Sequence, residues 1–380
     1  MDITITPGLL KGEIHVIPSK SQAHRLLICA SFADKPTQLV CPETNRDIEA
    51  TANCLRALGA NITRTDSGYT VFPVDTIAQT AVLNCGESGS TLRFLLPVVG
   101  ALGVDATFVM EGRLPQRPLS PLWEEMERMG CRLTLDDNLL HCCGKLQQGE
   151  YCIDGGVSSQ FISGLLFAHW LMGGCTLEII GEPESKPYIE MTKDALSLFD
   201  GHHSPRYIQV EGDWSNGAFW IAANALGGEL TVLGLNNISK QGDRAVVELI
   251  QQLKAGYATI DARNIPDLVP ILSVVAGANH GATFANIGRL RLKESDRIES
   301  TIAMLENLGG SASATEDTMT VRPCHFISGR VNTANDHRIA MAAAIAATVA
   351  SGPVTIYGAE CVAKSYPAFW NEFGRLGGKI

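Results

Sequence analysis

Several cations in this 380-residue sequence stand where a solvated surface charge explains them poorly. Arg25 and Arg338 each run directly into an apolar stretch, Leu26–Ala30 and Ile339–Ala350. A guanidinium carried into a buried helix needs a partner, and the planar fork of a phosphate or carboxylate suits it. Lys20 precedes Ser21, and the four-residue spacing of Ser21 and Arg25 puts both on one helical face. Arg93 lies beside Gly89-Ser90, Arg117 sits in the stiff Leu114–Pro118 segment, and Lys364 precedes Ser365-Tyr366-Pro367. Lys293 and Arg297 are four apart and read as one helical face, with Glu294 between them. Asp47, Asp267, Glu294, Asp296 and Asp336 are the acids in the same places, and His24 and His337 the histidines. Cations with a few carboxylates among them can hold an anion and move protons on it, and Asp267 and Glu294 are best placed for the second task. Capping is a rival role for Asp267, because an apolar helix follows it, and a structural salt bridge is the rival role for Glu294.

Helices must position these groups. Apolar helices are expected at Thr91–Leu102, Gln160–Leu171, Asn216–Leu226, Asp267–Ala276 and His337–Val349, with another after Ser21. A helix lacking a polar face is buried on all sides. Each starts at small or capping residues: Ser21, Gly89-Ser90-Thr91, Ser158-Ser159-Gln160, Ser215-Asn216-Gly217, Asp267 and Asp336. Capping alone explains any one of them. Six such ends at one surface would add their positive termini, each contributing about 0.3–1 kcal/mol towards a nearby anion.

A second set of helices is amphipathic and ends in an apolar residue and glycine, as in Leu55–Gly59, Met126–Gly130, Gln252–Gly256 and Leu305–Gly309. The helix-ending glycines at 59, 130, 201, 256, 309 and 377 are spaced by 71, 71, 55, 53 and 68 residues. A period near 70 with two short intervals signals duplicated units. Alternating strands fill the rest. The expected fold is therefore α/β: two similar domains of repeated units, each with one buried and one outer helix. The short intervals, at Asp200–Arg206 and Lys254–Ile260, place a missing strand hairpin in units three and four.

Composition narrows the partners. A net charge of −10 argues against a general nucleic-acid binder. The eleven cysteines are odd in number and form no CxxC pair, which suits reduced, mostly buried thiols in the cytoplasm rather than disulfides or a zinc site. The first twenty residues carry charges and alternate like a strand, so no signal peptide is expected, and Ile339–Ala350 is too short to span a bilayer. A monomer without membrane or nucleic-acid partner is expected.

Ten ordered segments carry a resemblance across almost the whole chain: SKSQAHR (Ser19–Arg25), GESGSTLRF (Gly86–Phe94), RLPQRPL (Arg113–Leu119), DGGVSSQF (Asp154–Phe161), ESKPYIEMT (Glu184–Thr192), EGDWSNGAF (Glu211–Phe219), IPDLVP (Ile265–Pro270), LKESDR (Leu292–Arg297), NDHRIAMA (Asn335–Ala342) and AKSYP (Ala363–Pro367). The chain resembles the EPSP synthase family. The resemblance implies two domains, each of three β-α-β-α-β-β units with buried parallel helices, an inside-out α/β barrel. It places one domain at 19–211 and a discontinuous one at 1–18 plus 212–380, with substrates in the cleft between them. It implies transfer of the enolpyruvyl group of phosphoenolpyruvate to the 5-hydroxyl of shikimate 3-phosphate with release of phosphate, and no metal or organic cofactor.

The same resemblance assigns roles. Lys20, Ser21 and Arg25 match the shikimate 3-phosphate site, with Ser158, Ser159, Gln160 and Ser185 as its phosphate set, Tyr188 nearby and Lys293 beside it. Lys20, Gly89, Arg117, Gln160, Arg297, Arg338 and Lys364 match the phosphoenolpyruvate pocket. Asp267 matches the base near the 5-hydroxyl, Glu294 the group near the methylene carbon, and Lys20 joins them in the catalytic set. The chain departs from the family at Arg289, where Asn is common, and at Phe94, where some members have Pro. A sister transferase acting on UDP-N-acetylglucosamine shares the fold, but its KNA motif is Lys20-Ser21-Gln22 here, and Arg113–Leu119 lacks its reactive cysteine. A non-catalytic anion binder would have lost an acid or a cation, and the set is complete.

Overall fold

A computed structural model describes residues 1–199 and 206–380. The chain divides into two compact units, a split one of Met1–Ile17 with Gly212–Ile380 and an inserted one of Pro18–Glu211. The fold is mixed α/β.

The chain opens in the split unit with β1 (Asp2–Ile5) and β2 (Lys11–His15). The inserted unit then runs α1 (Lys20–Ser31), β3 (Thr37–Val40), α2 (Arg46–Ala57), β4 (Asn61–Thr65), β5 (Gly68–Phe72), β6 (Thr80–Gly86), α3 (Gly89–Leu102) and β7 (Asp105–Met110). It continues through α4 (Leu122–Arg128), β8 (Cys131–Asp136), β9 (Leu139–Gly144), β10 (Glu150–Asp154), α5 (Ser159–Met172), β11 (Thr176–Ile180), α6 (Lys186–Leu198) and β12 (Tyr207–Gln209). Back in the split unit come α7 (Trp214–Ala225), β13 (Glu229–Leu233), α8 (Val246–Ala255), β14 (Ala258–Asp261), α9 (Val269–Ala278), β15 (Ala282–Ala285) and α10 (Arg297–Asn307). The chain closes with β16 (Ser311–Ala314), β17 (Thr318–Arg322), β18 (Gly329–Asn332), α11 (His337–Ala347), β19 (Val354–Tyr357) and α12 (Phe369–Arg375).

Among the described residues one motif recurs, a parallel strand pair. The pairs β6/β7, β10/β11, β14/β15 and β18/β19 each enclose their own helix, α3, α5, α9 and α11. The other two exchange partners across the chain, β3 with β12 and β2 with β13. That exchange makes one unit continuous and the other split. Antiparallel strands extend some pairs into the four-stranded orders β12-β3-β5-β4, β6-β7-β9-β8 and β14-β15-β17-β16, while β10-β11 and β13-β2 remain two-stranded.

The enclosed helices are the core. Every residue of α11 is buried, and α9 is buried except at its last residue. Helices α3 and α5 approach until a Cβ on Gly164 would stand 2.2 Å from the carbonyl oxygen of Arg93, so only glycine fits there. The outer helices are amphipathic: α2 buries Ile48, Thr51, Ala52 and Leu55, the stripe of a half-buried helix. Glycines 59, 130, 309 and 377 follow outer helices with positive φ.

Gly256 differs. Its φ of 169° is extended, and only Gly256 and Tyr257 separate α8 from β14, with no strand between them. The other short interval falls at Asp200–Arg206, of which Asp200–Pro205 lie outside the described residues. Two local expectations are corrected. Lys293 and Arg297 do not share a helix: Asp296 caps α10 by accepting from Glu299 N at 3.2 Å, so Lys293 stays outside in extended backbone. Asp267 does not cap α9, which starts after Leu268 without a side-chain cap, because its carboxylate is bound elsewhere.

Candidate active site

In the inserted unit the three buried helices start at serines. Ser19, Ser88 and Ser158 accept from backbone N–H groups at the starts of α1, α3 and α5. Neutral caps leave the positive end of each helix unneutralised. Lys20 Nζ lies 2.9 Å from Asp47 Oδ2. Arg25 is 2% exposed, yet all its hydrogen-bond acceptors are uncharged. Nη1 donates to the Ser21 carbonyl at 2.7 Å, Nη2 to the Tyr188 carbonyl at 2.8 Å and Ser163 Oγ at 3.4 Å, and Nε to Thr192 Oγ1 at 2.8 Å. Phe94 packs 4.9 Å beneath the guanidinium carbon, which gives the departure at Phe94 a place in the site. Burial lowers Arg25 to about 10.

Gln160 is held from both sides, accepting from Arg93 Nη1 at 2.8 Å and donating to Ser90 Oγ at 2.8 Å. Gly89 is covered by a cation: a Cβ there would stand 2.8 Å from Arg117 Nη1. Ser159 is buried in the first turn of α5. Ser185 precedes α6 in a left-handed backbone at φ 51°, a conformation that costs a non-glycine residue about 1–2 kcal/mol. His24 is fully buried and starts a hydroxyl chain through Thr51, Thr91 and Ser88 with links of 2.6, 2.6 and 2.7 Å. Burial and then the charges of Lys20 and Arg25 push His24 well below its ordinary pKa, so it orients the start of α3 as a neutral ring.

In the split unit one guanidinium gathers three carboxylates. Arg297 is 1% exposed and donates through Nη1 to Asp267 Oδ1 at 2.6 Å, Nη2 to Glu294 Oε2 at 2.6 Å and Nε to Asp336 Oδ2 at 2.9 Å. Burial alone would lower its pKa, but Asp336, Glu294 and Asp267 together raise it. Asp267 Oδ2 also lies 3.5 Å from Arg338 Nη2, and Lys293 Nζ lies 3.9 Å from Asp267 Oδ1. Burial, moderated by Asp267, lowers Lys293 to about 8. Asp336 caps α11 by accepting from Arg338 N, and Asp213 caps α7. Lys364 Nζ donates to the Asn335 carbonyl at 2.8 Å. Arg289, the other departure, donates to the Arg263 carbonyl at 2.8 Å. Among the described residues no group of three or more His, Cys, Asp and Glu could hold a metal ion.

The structure thus assembles Lys20, Ser21, Arg25 and Tyr188 with Ser163 and Thr192, and Gln160 with Arg93, in the inserted unit. It assembles Asp267, Lys293, Glu294, Arg297 and Arg338 with Asp336 in the split unit. Sequence reasoning missed Thr192 and Ser163, whose type is common in helices and whose partners are remote in the chain. It also missed Asp243, a fully buried acid bonded to Ser215. A Gly-Asp pair before a helix reads as a surface turn, and no local signal marked it.

The pattern of one family, EPSP synthase (3-phosphoshikimate 1-carboxyvinyltransferase), matches residues 5–204 and 199–373. The chain belongs to the EPSP synthase family. Its similarity to the 3-phosphoshikimate 1-carboxyvinyltransferase of Clostridium kluyveri is 36% identity over 416 aligned positions, covering 100% of this chain and 98% of that one. The Clostridium perfringens protein of that name (strain ATCC 13124) is 36% identical over 417 positions, with 99% and 98% covered. EPSP synthase from Acinetobacter baumannii has a similar fold, with a TM-score of 0.79 at 23% identity over 99% of this chain and 98% of that one. So has the enolpyruvyl transferase NikO from Streptomyces tendae, with a TM-score of 0.73 at 16% identity over 99% and 97%.

Proposed function

We propose that this protein carries out the reaction for which its family is named. It transfers the enolpyruvyl group of phosphoenolpyruvate to the 5-hydroxyl of shikimate 3-phosphate and releases phosphate, a step of aromatic amino acid biosynthesis. The observation that carries the reading is the pair of acids on one buried guanidinium, Asp267 and Glu294, each 2.6 Å from Arg297.

The chemistry needs two proton movements. The attacking hydroxyl loses a proton as its oxygen bonds to the central carbon of phosphoenolpyruvate, and the methylene carbon gains one. When the C–O bond to phosphate breaks, that carbon returns a proton and the double bond re-forms. We assign the hydroxyl proton to Asp267 and the carbon proton to Glu294, with Lys20 joining them in the catalytic set. Arg297 fixes both carboxylates, and positioning of this kind is a large part of catalysis.

Lys20, Ser21, Arg25, Ser158, Ser159, Gln160, Ser185, Tyr188, Asp267 and Lys293 are proposed to bind shikimate 3-phosphate. Lys20, Gly89, Arg117, Gln160, Arg297, Arg338 and Lys364 are proposed to bind phosphoenolpyruvate. The protein is proposed to act as a monomer in the cytoplasm.

Each unit is read as three copies of β-α-β-α-β-β, an inside-out α/β barrel, with copies three and four lacking their hairpin. Two two-stranded sheets support this. So does alignment length: the 416 aligned positions exceed the 380 residues by 36, enough for two hairpins the size of Ser311–Ser328. No residue proposed for the site lies in those stretches.

The test is phosphate release with both substrates, against either alone and against phosphoenolpyruvate with UDP-N-acetylglucosamine. Release that needs shikimate 3-phosphate is expected. Release with the nucleotide sugar instead would assign the sister activity, and release with neither would remove the catalytic reading.

A further inference from the structure

One buried carboxyl is not used by the proposed reaction. Asp243 lies in the 3-10 turn Gly242–Ala245 before α8. Ser215 Oγ, in the first turn of α7, donates to Asp243 Oδ2. The carbonyl of the same serine accepts from Arg338 Nη1 at 3.0 Å, and Arg338 Nη2 stands 3.5 Å from Asp267 Oδ2. Ser215 therefore couples a hidden acid to a buried guanidinium, and that guanidinium to the proposed base.

Arg244, beside Asp243 in the turn, is exposed and donates to the Asn237 carbonyl at 2.7 Å. The turn packs against α7 and α8. Between Trp214 and Ala225, α7 has no charged side chain, while Glu248 and Lys254 of α8 are exposed. Nor does α9 carry one. Asp213 at the start of α7, Asp267 before α9 and Arg338 on α11 are the charges that act on it. Arg338 is thus the positive charge that acts on Asp243, and it is partly engaged by Asp267, which Arg297 also holds. Burial, then Asp267 and Asp213, push Asp243 up to about 7 against the opposing effects of Arg338 and the Ser215 hydrogen bond.

We propose that Asp243 is a positioning residue for Arg338 that takes up a proton when an anion binds to that arginine. The proposal rests on the assignment of Arg338 to phosphoenolpyruvate. An anion on Arg338 cancels the positive charge that favours ionised Asp243 and adds a negative one nearby. Both changes favour the neutral acid. A protonated carboxyl still accepts from Ser215, so the serine keeps its place and Arg338 stays oriented while its competitor for positive charge is removed. The proton comes from solvent and returns when the anion leaves. Anion affinity should therefore fall as pH rises above about 7, by up to about tenfold per pH unit until a second group intervenes. Lys293, at about 8, is that second group, because it loses its own charge there.

The experiment is the pH profile of KM for phosphoenolpyruvate in the full chain, beside the isosteric Asp243→Asn. The native protein should show KM rising from about pH 7, and the variant should lose that lower step while keeping the upper one. Titration calorimetry with phosphoenolpyruvate alone, in two buffers of different ionisation enthalpy near pH 7.5, should show fewer protons taken up by the variant. The ligand's own phosphate and Lys293 contribute equally to both proteins. Superimposable profiles and equal proton counts would overturn the proposal. Ser215→Ala retains the acid but removes a bond that favours its ionised form, so the lower step should move to higher pH. An unmoved step also overturns it. Absence of turnover in the native protein strikes the proposed function instead, and the proton count still tests Asp243.

Discussion

Arg25 in the inserted unit and Arg297 in the split unit are both buried guanidiniums, yet their partners differ in kind. Arg25 donates only to carbonyls and hydroxyls, whereas Arg297 holds Asp267, Glu294 and Asp336. The caps follow the same division. Serines start the buried helices of the inserted unit, and Asp213 and Asp336 start α7 and α11 of the split unit. At Arg25 and at its serine caps the inserted unit leaves positive charge without a carboxylate, although Lys20 pairs with Asp47. The split unit neutralises its own cations with carboxylates, and so has groups that can exchange protons. In the proposed reaction the two proton-moving carboxylates, Asp267 and Glu294, both come from the split unit, while the substrate-binding cations come from both units.

The largest expected effect breaks the split unit's half of the comparison. Asp267→Asn and Glu294→Gln should each lower kcat by roughly 10²–10⁴-fold, the usual contribution of a positioned acid or base. Titration calorimetry should show both variants still binding shikimate 3-phosphate. Near-native turnover in either would remove that residue from the catalytic pair.

Next come the two arginines, exchanged for methionine. Arg297→Met leaves Asp336, which is 0% exposed, without its guanidinium. Breaking a buried ion pair from one side costs about 3–5 kcal/mol, and a large fall in Tm is expected. Arg25→Met should move stability by under about 1 kcal/mol, since it removes a buried charge that no carboxylate neutralises. Thr192 still donates its one hydroxyl proton, to Ser163 Oγ or to the Tyr188 carbonyl, so its donor is not left unbonded. Affinity for shikimate 3-phosphate should nevertheless fall by about 1.5–3 kcal/mol, the worth of a charged hydrogen bond. Equal Tm losses in the two variants would erase the distinction between the regions.

Much of this division was legible in the sequence, for a physical reason. Caps and glycines at helix ends are local signals, so the buried helices were expected within a few residues of their actual starts, and Arg25 and Arg338 were expected to be buried from the apolar runs behind them. What was not legible depends on remote contacts. Asp267 reads as a cap because an apolar helix follows it, yet Arg297, thirty positions on, draws its carboxylate away. Lys293 and Arg297 have helical spacing, but Asp296 starts the helix between them and separates their backbones. Asp243 has the sequence of a surface turn and is buried where that turn packs against α7 and α8.

The smallest effect tests the caps themselves. Ser158 accepts from Gln160 N at 3.2 Å and is only partly buried, so it tolerates a charge better than Ser19 or Ser88. Ser158→Ala removes the cap and should cost about 1 kcal/mol of stability, and it removes one proposed phosphate contact while leaving the positive end of α5 in place. Ser158→Asp should keep the cap instead. Aspartate caps about as well as serine, so Tm should hold within a few tenths of a kcal/mol. Its carboxylate, however, brings to α5 what Asp336 brings to α11, and affinity for shikimate 3-phosphate should fall by at least the roughly 0.3–1 kcal/mol of the helix-end effect. Only Ser158→Ala should therefore lose stability, and only Ser158→Asp should set a negative charge against the bound phosphate. If Ser158→Asp binds as tightly as the native protein, the neutral caps have no part in anion binding, and the contrast between the regions rests on the arginines alone.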